Sequence, residues 1–426
     1  MISKFLLRYY LPIAFLLLLP TMVERVEGNL RGVIWSDCEE YYAYLPGMFI
    51  VKDVHKIPPD SIGAYNNEKG EMVLKPTYGV ALFEMPFFLA ARPVARVRLS
   101  DPDDYTREPY GMAVALAGYF CAFLGLFFLR KALLRRHSPW AVFWTLLAVF
   151  AGTNLYHYAT KEMGMSHVYS FCLFAFLVWH TPRFFEKPDW KNAALLGGAL
   201  GWTLLIRSTN TLALLFVLLY DVYSWAALKE RLRFFRRQWR ALLVAMAACF
   251  LFFIPQMWYW YEMTGKLILQ TGEEGFKYWN RPKLAAVLFD PQNGLFLYSP
   301  MVLVMLFGVG MGWRNKTGQA PALTLIFVLA TYFFASWRAW WYGGAFGHRA
   351  FIDLYPLLAL PLAGVFETIL SWRRSWIKIS VLAVFSFLIW YSVAMSQLYT
   401  RIGGPWDGQD WRWNWSKMAM LWEKLF

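Results

Sequence analysis

Residues 35–49 read Trp35-Ser36-Asp37-Cys38-Glu39-Glu40-Tyr41-Tyr42-Ala43-Tyr44-Leu45-Pro46-Gly47-Met48-Phe49, and they follow the first apolar run of membrane length. Three carboxylates within four residues at a membrane boundary are unfavourable unless water, a cation or a substrate compensates their charge. The aromatic residues behind them have the spacing of an amphipathic helix. The stretch therefore predicts a helix over residues 37–51 that lies flat in the headgroup layer. We interpret Asp37 as a catalytic base held at the membrane surface.

Helix capping is the alternative interpretation of the same carboxylates. Ser36 with Glu39, and Asp37 with Glu40, have the spacing of a capping box. Carboxylates in a first helical turn also interact favourably with the positive end of the helix dipole. The features that follow along the chain favour the catalytic interpretation.

The composition identifies the chain as an all-α polytopic membrane protein. Of its 426 residues, 58% are hydrophobic and 19% are aromatic, which is well above the usage of soluble domains. Runs of about 20 apolar residues are each long enough to cross the hydrocarbon core. Eleven spans are predicted, at residues 6–22, 110–130, 140–158, 166–180, 192–206, 209–224, 241–258, 295–312, 320–336, 350–369 and 377–397.

The net charge of +14 is distributed unevenly across this topology. With a cytoplasmic N-terminus, the inner loops carry 20 basic and five acidic residues, which leaves 22 basic and 23 acidic residues outside. Such a bias is the positive-inside pattern of membrane proteins, so it argues against nucleic-acid binding. The first apolar run is followed by no small-residue cleavage site and is predicted to be an uncleaved anchor. The four cysteines suggest no disulfide framework.

Two domains follow from this topology: a membrane module over residues 1–397 and a short Trp-rich amphipathic tail over residues 398–426, on the outer surface. The module includes one long outer loop, residues 23–109. Within that loop residues 77–97 are apolar, but counting them as a span would place the Arg130–Arg136 basic cluster outside. We therefore predict that they form a second interfacial or re-entrant helix.

Later outer segments also contain candidate functional residues. Arg207 joins two short spans and is expected near the acyl boundary of the outer leaflet, where an ionisable group is a functional candidate. Snorkelling of Arg207 to lipid phosphates is the alternative. Residues 336–349 contain glycines, which allow close approach to a ligand, and indoles, which either stack on sugars or anchor the interface. Glu162 and His167 lie near the outer ends of the third and fourth spans, where they either line the same cavity or are ordinary outer-loop residues, and neither is assigned to the site.

Five short motifs follow one another on the predicted outer side. They are Asp37 with Tyr41; Lys75-Pro76-Thr77-Tyr78; the glycine-rich span from Gly197-Gly198 to Arg207; Asn293-Gly294-Leu295-Phe296 leading to Tyr298-Ser299-Pro300; and Trp341-Tyr342-Gly343-Gly344 before Phe346-Gly347-His348-Arg349, Asp353 and Tyr355-Pro356. In order and placement these motifs resemble the bacterial polyprenyl-phosphate-sugar-dependent transferases of the GT-C fold. That superfamily includes the protein O-mannosyltransferases and the lipid A aminoarabinose transferases.

The resemblance implies an inverting glycosyltransferase of the bacterial inner membrane. The enzyme would take a sugar from a polyprenyl-phosphate donor and pass it, on the periplasmic side, to a hydroxyl of a glycan, lipid or protein acceptor. Asp37 and Glu39 would be the catalytic carboxylates, and Lys75, Arg207 and Arg349 would bind the donor phosphate. The substrate-binding candidates are Tyr41, Tyr42, Tyr78, Trp341, His348 and Asp353.

Two departures from the family pattern accompany this resemblance. Some members carry an arginine where Glu40 stands. The larger relatives also have a soluble outer domain after the last span, where this sequence has only a short tail.

The proposed chemistry explains these residue types. A hydroxyl acceptor needs a carboxylate within hydrogen-bond reach, and a departing lipid phosphate is an anion that cations stabilise. Asp37 and Glu39 form an Asp-x-Glu pair that alternatively holds Mg²⁺ or Mn²⁺. Residues two apart on a helix do not share a face, so a metal-free site is favoured and no metal ligand is assigned.

A transporter or flippase for lipid-linked sugars is the alternative function. Many spans and aromatic membrane belts fit it equally well. The sequence shows no inverted repeat, however, and its charged residues lie towards one side of the membrane rather than at its midplane. A cytosolic nucleotide-sugar transferase is disfavoured because no inner loop is long enough for a nucleotide-binding domain.

The predicted topology is tested by labelling single cysteines in a cysteine-free background with a membrane-impermeant maleimide. Positions in residues 337–349 are expected to react from outside, and positions in residues 228–240 are expected to react only after the membrane is opened, because basic residues concentrate in the second segment. Labelling of both segments from outside, or of residues 228–240 alone, would contradict the topology.

Overall fold

The computed structural model describes residues 2–28, 33–54, 65–67, 72–268, 275–401 and 413–426. Over these residues the regular secondary structure is helical apart from one antiparallel pair of two-residue strands, β1 (Tyr65–Asn66) and β2 (Met72–Val73). Among the described helices, four are long and apolar enough to cross a membrane, and a bent pair raises the number to five if it forms one span. This architecture is consistent with a multi-pass membrane protein.

The helices of the first half of the chain are α1 (Ile2–Gly28), α2 (Asp37–Pro46), a π-helical turn (Gly47–Val51), α3 (Gly79–Arg98), α4 (Glu108–Leu133), α5 (Pro139–Ala151), α6 (Leu155–Thr160), α7 (Ser166–Glu186), α8 (Trp190–Ile206), a first 3-10 helix (Ser208–Thr211) and α9 (Leu212–Leu218). Two of them begin at a capping side chain. Ser138 accepts a hydrogen bond from the backbone N–H of Ala141 in α5, and Asp189 accepts one from Asn192 in α8.

The helices of the second half are α10 (Trp225–Arg237), α11 (Trp239–Leu251), α12 (Ile254–Thr264), α13 (Leu284–Phe289), α14 (Leu295–Tyr298), α15 (Met301–Arg314), α16 (Ala320–Ser336), a second 3-10 helix (Arg349–Leu354), α17 (Tyr355–Ser371), α18 (Ser375–Arg401) and α19 (Trp415–Leu425). Ser224 and Asn414 cap α10 and α19 in the same way.

Helix α7 occupies the centre of the fold. Every residue from Ser166 to Ala175 is buried, as expected for a helix that is apolar on all sides. Helices α4, α8 and α17 pack against it. The start of α7 is therefore enclosed by other elements, and any polar side chain there must find a partner within the protein.

Small residues bring α8 and α11 into close contact. A Cβ atom added at Gly197 would lie 2.0 Å from the carbonyl oxygen of Ala245, and one added at Gly201 would lie 2.4 Å from that of Cys249. The two glycines are one turn apart on the same face of α8, which is the spacing that lets the backbones of membrane helices approach closely.

Every predicted span coincides with a helix or with consecutive helices, but several of these elements are broken or short. The span predicted at 140–158 is interrupted at residues 152–154, and α9 ends at Leu218 rather than at residue 224. The span predicted at 241–258 is the pair α11 and α12, bent by 41°. Proline explains the break between α11 and α12 and a further break between α14 and α15. Pro255 and Pro300, at these two places, lack the N–H that continues a helix.

Residues 37–51 are helical, as predicted, but the prediction that this helix lies on the surface is wrong. The aromatic residues expected to face the headgroups are buried in the protein: Tyr41, Tyr42 and Tyr44. Helix α3 covers them, with the rings of Tyr42 and Phe88 5.8 Å apart. The second interfacial helix, predicted over residues 77–97, is α3 itself, which is not one of the described helices of membrane-spanning length and hydropathy.

The C-terminal tail, predicted over residues 398–426, begins as the last turn of α18. Residues 402–412, with Trp406 and Trp411, lie outside the described part of the chain. Helix α19 packs on α18 with Met418 and Leu421 buried, while Trp415 is exposed. The described part of the tail is therefore amphipathic.

The contact between α8 and α11 predicts a difference between adjacent glycines. Gly197→Ala is expected to lower the free energy of unfolding by about 1–3 kcal/mol, because the new methyl group overlaps the carbonyl of Ala245. Gly198→Ala is the matched control, since its methyl group would lie 3.5 Å from Phe252, an ordinary contact. Alanine's higher helix propensity makes the control neutral or slightly stabilising. Thermal unfolding in detergent measures both variants, and equal midpoints would contradict this packing.

Candidate active site

A cluster of charged and polar side chains lies where four elements meet: the start of α2, the start of α7, the end of α8 and the second 3-10 helix. Its members are Asp37, Ser166, His167, Arg207, Tyr342, Arg349 and Asp353. Charges enclosed in this way are stable only when they are paired and hydrogen-bonded. Two ion pairs organise the cluster.

The first ion pair joins Asp37 to Arg349. The Nη2 atom of Arg349 lies 2.9 Å from Oδ2 of Asp37, and its Nη1 atom donates to the sulfur of Met165 at 3.0 Å. The Asp37 side chain is 42% exposed, whereas that of Arg349 is only 12% exposed. The carboxylate is thus accessible from solvent while the guanidinium behind it is enclosed.

Helix capping does not account for Asp37. Ser36 occupies the N-cap position of α2 but makes no side-chain capping hydrogen bond. Its hydroxyl instead donates to Oδ1 of Asp37 at 3.5 Å. Ser36 also has a φ of 52°, which is unfavourable for a residue other than glycine. The local backbone therefore directs the Asp37 carboxylate towards Arg349 and not towards the N–H groups of its own helix.

The second ion pair joins Arg207 to Asp353 through a histidine. Nε of Arg207 lies 3.8 Å from Oδ2 of Asp353, whose Oδ1 lies 3.0 Å from Nδ1 of His167. The other ring nitrogen of His167, Nε2, lies 3.2 Å from Nη1 of Arg207. Because a guanidinium only donates hydrogen bonds, Nε2 accepts and Nδ1–H donates to Asp353. His167 is therefore held as one neutral tautomer between the two charges.

Both arginines retain a donor that the described structure does not use. The Nε atoms of Arg207 and Arg349 are buried and have no hydrogen-bond acceptor among the described residues. Buried donors without a partner are unfavourable. An oxyanion bound in the cluster would satisfy them with charge-assisted hydrogen bonds.

The segment that contains Lys75 leads into α3. Two residues after Lys75, the Thr77 hydroxyl donates to the carbonyl of Leu205. A Cβ atom at Gly79 would lie 3.0 Å from the backbone nitrogen of Ile206. Residues 77–79 therefore run beside the end of α8, whereas the carbonyl of Pro76, next to Lys75, accepts a hydrogen bond from the Tyr44 hydroxyl at 2.8 Å.

Several predicted substrate-binding residues have structural partners. The Tyr42 hydroxyl donates to the carbonyl of Tyr105 at 2.9 Å, and that of Tyr78 donates to Phe252 at 2.7 Å. Burial raises the pKa of Tyr78 to about 12. Nε2–H of His348 donates to the carbonyl of Trp340 at 3.0 Å. Burial lowers the pKa of His348 to about 3, so its ring is neutral and adds no positive charge for a phosphate.

The remaining predicted residues lie closer to the ion pairs. Asp353 is only 2% exposed and is fully engaged by His167 and Arg207, so the structure gives it a supporting position. Burial raises the pKa of Tyr41, and Asp37 raises it further, whereas Arg207 lowers it, which shows that the phenol lies within the field of both ion pairs. Glu39 is half-buried in the first turn of α2. The backbone carbonyl of Trp341 accepts a hydrogen bond from the Asn293 side chain at 2.6 Å.

Sequence reasoning did not assign three residues of this region to the site. His167, for which a place in the cavity and an ordinary outer-loop position were both left open, is buried and bridges the second ion pair. Ser166 accepts a hydrogen bond from Nη1 of Arg207 at 3.3 Å. Glu162 is also buried, with Oε1 3.4 Å from Nε2 of His157, and it lies within the field of Arg349. The available signal was a Ser-His pair at the start of an all-apolar helix.

Comparison with known proteins does not identify a family: no protein-family model matches the chain, and no curated protein is significantly similar to it. Among the described residues, no group of three or more His, Cys, Asp or Glu side chains is arranged to hold a metal ion. The proposal for its function therefore rests on the geometry of the ion-pair cluster and on the order of the motifs.

A further carboxyl group is buried in α3, close to the cluster. Glu84 is 1% exposed, and its Oε1 atom accepts a hydrogen bond from the Tyr169 hydroxyl at 3.0 Å. Burial raises the pKa of Glu84 from its ordinary value of 4.5 to about 8, and the hydrogen bond from Tyr169 partly offsets this effect. Glu84 is therefore largely protonated in the folded protein at neutral pH.

This burial predicts a pH-dependent effect of Glu84→Gln. The folded state binds more protons than the unfolded state between pH 4.5 and 8, so the contribution of Glu84 becomes less favourable as the pH rises through this window. Glutamine keeps the acceptor for Tyr169 and stays neutral. The variant should gain about 2–4 kcal/mol of stability relative to the parent at pH 8, and much less at pH 5.

Thermal unfolding measured at both pH values provides the check. Glu423→Gln is the control, because Glu423 is exposed on α19 and no pH-dependent gain is expected there. If the parent and Glu84→Gln kept a constant difference in midpoint from pH 5 to pH 8, Glu84 would not be protonated by burial.

Proposed function

We propose that the chain is a GT-C-type membrane glycosyltransferase that moves a sugar from a polyprenyl-phosphate donor to a hydroxyl of a glycan, lipid or protein acceptor. The observation that supports this most strongly is the ion pair of Asp37 and Arg349. It combines a solvent-accessible carboxylate with an enclosed guanidinium that still has an unused donor. A base and a phosphate ligand are the two groups that this reaction requires.

The proposed topology has eleven crossings, with the N-terminus in the cytoplasm and the C-terminus in the periplasm of a bacterial inner membrane. The shorter apolar helices of the described structure support the additional crossings, because they fall at predicted spans. In this topology the ion-pair cluster faces the periplasm. Lipid-linked donors would reach it from the outer leaflet.

The donor phosphate is proposed to bind Arg207 and Arg349, with Lys75 as a third cation. Charge-assisted hydrogen bonds from guanidinium groups to phosphate oxygens are strong and often bidentate. The phosphate then competes with Asp37 for Arg349, because both are anions that bind the same group. Donor binding would thereby release the carboxylate to the acceptor, which couples the arrival of the donor to the availability of the base.

The transfer itself needs one bond to form and one to break. The acceptor oxygen attacks the anomeric carbon as the bond from that carbon to the phosphate oxygen breaks. The acceptor proton passes to Asp37, and the bonding electrons leave with the polyprenyl phosphate, whose charge the arginines stabilise. Attack opposite the leaving group inverts the configuration at the anomeric carbon. Asp37 finally returns its proton to water, which its exposure permits.

Positive charge from arginine takes the place of a divalent cation in this proposal. A metal ion held by Asp37 and Glu39 would have to compete with Arg349 for the Asp37 carboxylate. Activity that disappears with a chelator and returns with Mg²⁺ or Mn²⁺ would assign these carboxylates to a metal instead.

The decisive substitution is Asp37→Asn. It keeps the shape of the side chain but cannot accept a proton, so turnover should fall by about 10²–10⁴. Donor affinity should be unchanged or increased, because asparagine competes less well for Arg349 than the carboxylate does. Asp103→Asn, at an exposed ion pair with Arg92 in the same loop, is the control and should leave both quantities unchanged.

The measurement uses the full-length protein in proteoliposomes with a panel of radiolabelled polyprenyl-phosphate sugars. Arg207→Gln provides the complementary result, because loss of a charged phosphate contact should weaken donor binding by about tenfold or more. An Asp37→Asn protein with the turnover of the parent would refute the assignment of the base. Movement of the labelled lipid between leaflets without sugar transfer would favour the flippase alternative.

A further inference from the structure

Helix α7 connects the candidate site to a second polar region at its other end. His167 lies in the first turn of α7 and Glu186 is its last residue. The positions differ by 19 in the sequence, and a rise of about 1.5 Å per residue places the two ends roughly 28 Å apart. That distance is close to the thickness of the hydrocarbon core of a bilayer. In the proposed topology the second region therefore lies at the opposite membrane face from the candidate site.

A cavity of about 210 Å³ opens at this second end. Its polar wall is formed by Arg135, Arg136, Glu186, Tyr220 and Gln319, and the rest of its lining consists of apolar side chains from α4, α7 and α17. Such a combination of a cationic mouth and an apolar wall suits an amphiphile with a negative headgroup. Arg135 is paired with Glu186 in the described structure, so an anionic ligand would compete with this carboxylate for the Arg135 guanidinium.

Further arginines surround the cavity and leave it positively charged. Arg231 of α10 donates to the carbonyl of Tyr220 at 2.5 Å, and its guanidinium lies 3.5 Å from the centre of the Phe185 ring. Arg183 lies within the field of Arg135 and Glu186. Among the described residues around the cavity, four arginines face two acidic groups, Glu186 and Asp221. The surplus of two positive charges favours an anion.

Helix α10 provides an independent indication of a lipid surface. None of its residues is buried. Trp225 and Leu232 are 79% and 59% exposed, on a helix that also carries Lys229, Arg233, Arg236 and Arg237. Exposed apolar side chains beside a dense basic face are typical of helices that lie on anionic headgroups. The helix docks beside the cavity, with the rings of Phe234 and Phe185 5.1 Å apart.

We propose that this cavity binds the phosphate of an anionic membrane lipid, with Arg135 and Arg136 at the phosphate and an acyl chain along the apolar wall. The lipid comes from the leaflet on which α10 lies, which is the cytoplasmic leaflet in the proposed topology. Glu186 competes with the phosphate for Arg135. The lipid site is independent of the transferase chemistry, because it lies at the other end of α7.

The test is thermal unfolding of the delipidated full-length protein in detergent, titrated with phosphatidylglycerol, phosphatidylcholine or inorganic phosphate. Only phosphatidylglycerol is expected to raise the midpoint, since it alone supplies both the charge and the acyl chains. The double variant Arg135→Gln/Arg136→Gln should need about tenfold or more phosphatidylglycerol for the same rise. Arg373→Gln/Arg374→Gln removes the same charge from exposed positions between α17 and α18 and should respond as the parent does.

Glu186→Gln gives a result that a merely structural role would not produce. It removes the competing carboxylate, so the variant should respond to less phosphatidylglycerol than the parent, even if the double variant fails to fold. Equal responses to phosphatidylglycerol and phosphatidylcholine, or equal responses of the two double variants, would overturn the proposal. An equal rise with inorganic phosphate would show a site for free anions and would also overturn the lipid assignment.

Discussion

The pairing of Arg349 with Asp37 is the interaction on which the candidate site depends, because it joins parts of the chain that are 312 positions apart. The guanidinium of Arg349 is largely enclosed, so without its carboxylate it would be a poorly solvated charge, although the exposure of Asp37 makes this loss smaller than for a fully buried pair. The start of α2 is therefore tied to the segment that leads into α17. The same pairing that joins these segments also places a carboxylate beside Arg349, in the cluster that contains Arg207.

The sequence indicated which charged residues need a partner but did not identify those partners. Asp37, Arg207 and Arg349 stand out because each is a charge beside an apolar run, where charge is costly. The unfavourable free energy of an unpaired charge implies that each of these residues has a partner, but it does not identify that partner. Pairing of Asp37 with Arg349, and of Arg207 with Asp353 through His167, depends on helix packing over long separations. For the same reason hydropathy located the helices but placed the tyrosines of α2 on the wrong side.

The break between α5 and α6 is a backbone feature that could not be predicted from the local sequence either. Residues 140–158 read as one apolar run, yet Asn154 interrupts it and lies fully buried. Its backbone N–H donates to Ser299 at 2.9 Å, and its side-chain oxygen accepts from the Tyr355 hydroxyl at 2.7 Å. These partners come from distant segments and compensate for the lost helical hydrogen bonds. Helix α5 ends at Ala151 and Asn154 directly precedes α6, so a buried asparagine with partners from distant segments stabilises a break inside the protein.

In the proposed function, the electrostatic balance of the cluster determines how an anionic donor would bind there. Two arginines face two aspartates, and His167 is neutral because its Nε2 must accept from Arg207. A protonated His167 would lose that acceptor and place a third positive charge beside Arg207. The neutral ring instead fixes the direction of the guanidinium without adding charge. In the proposed function a phosphate would therefore meet arginines that are already oriented. Of their two carboxylate partners, only Asp37 is exposed enough to be displaced.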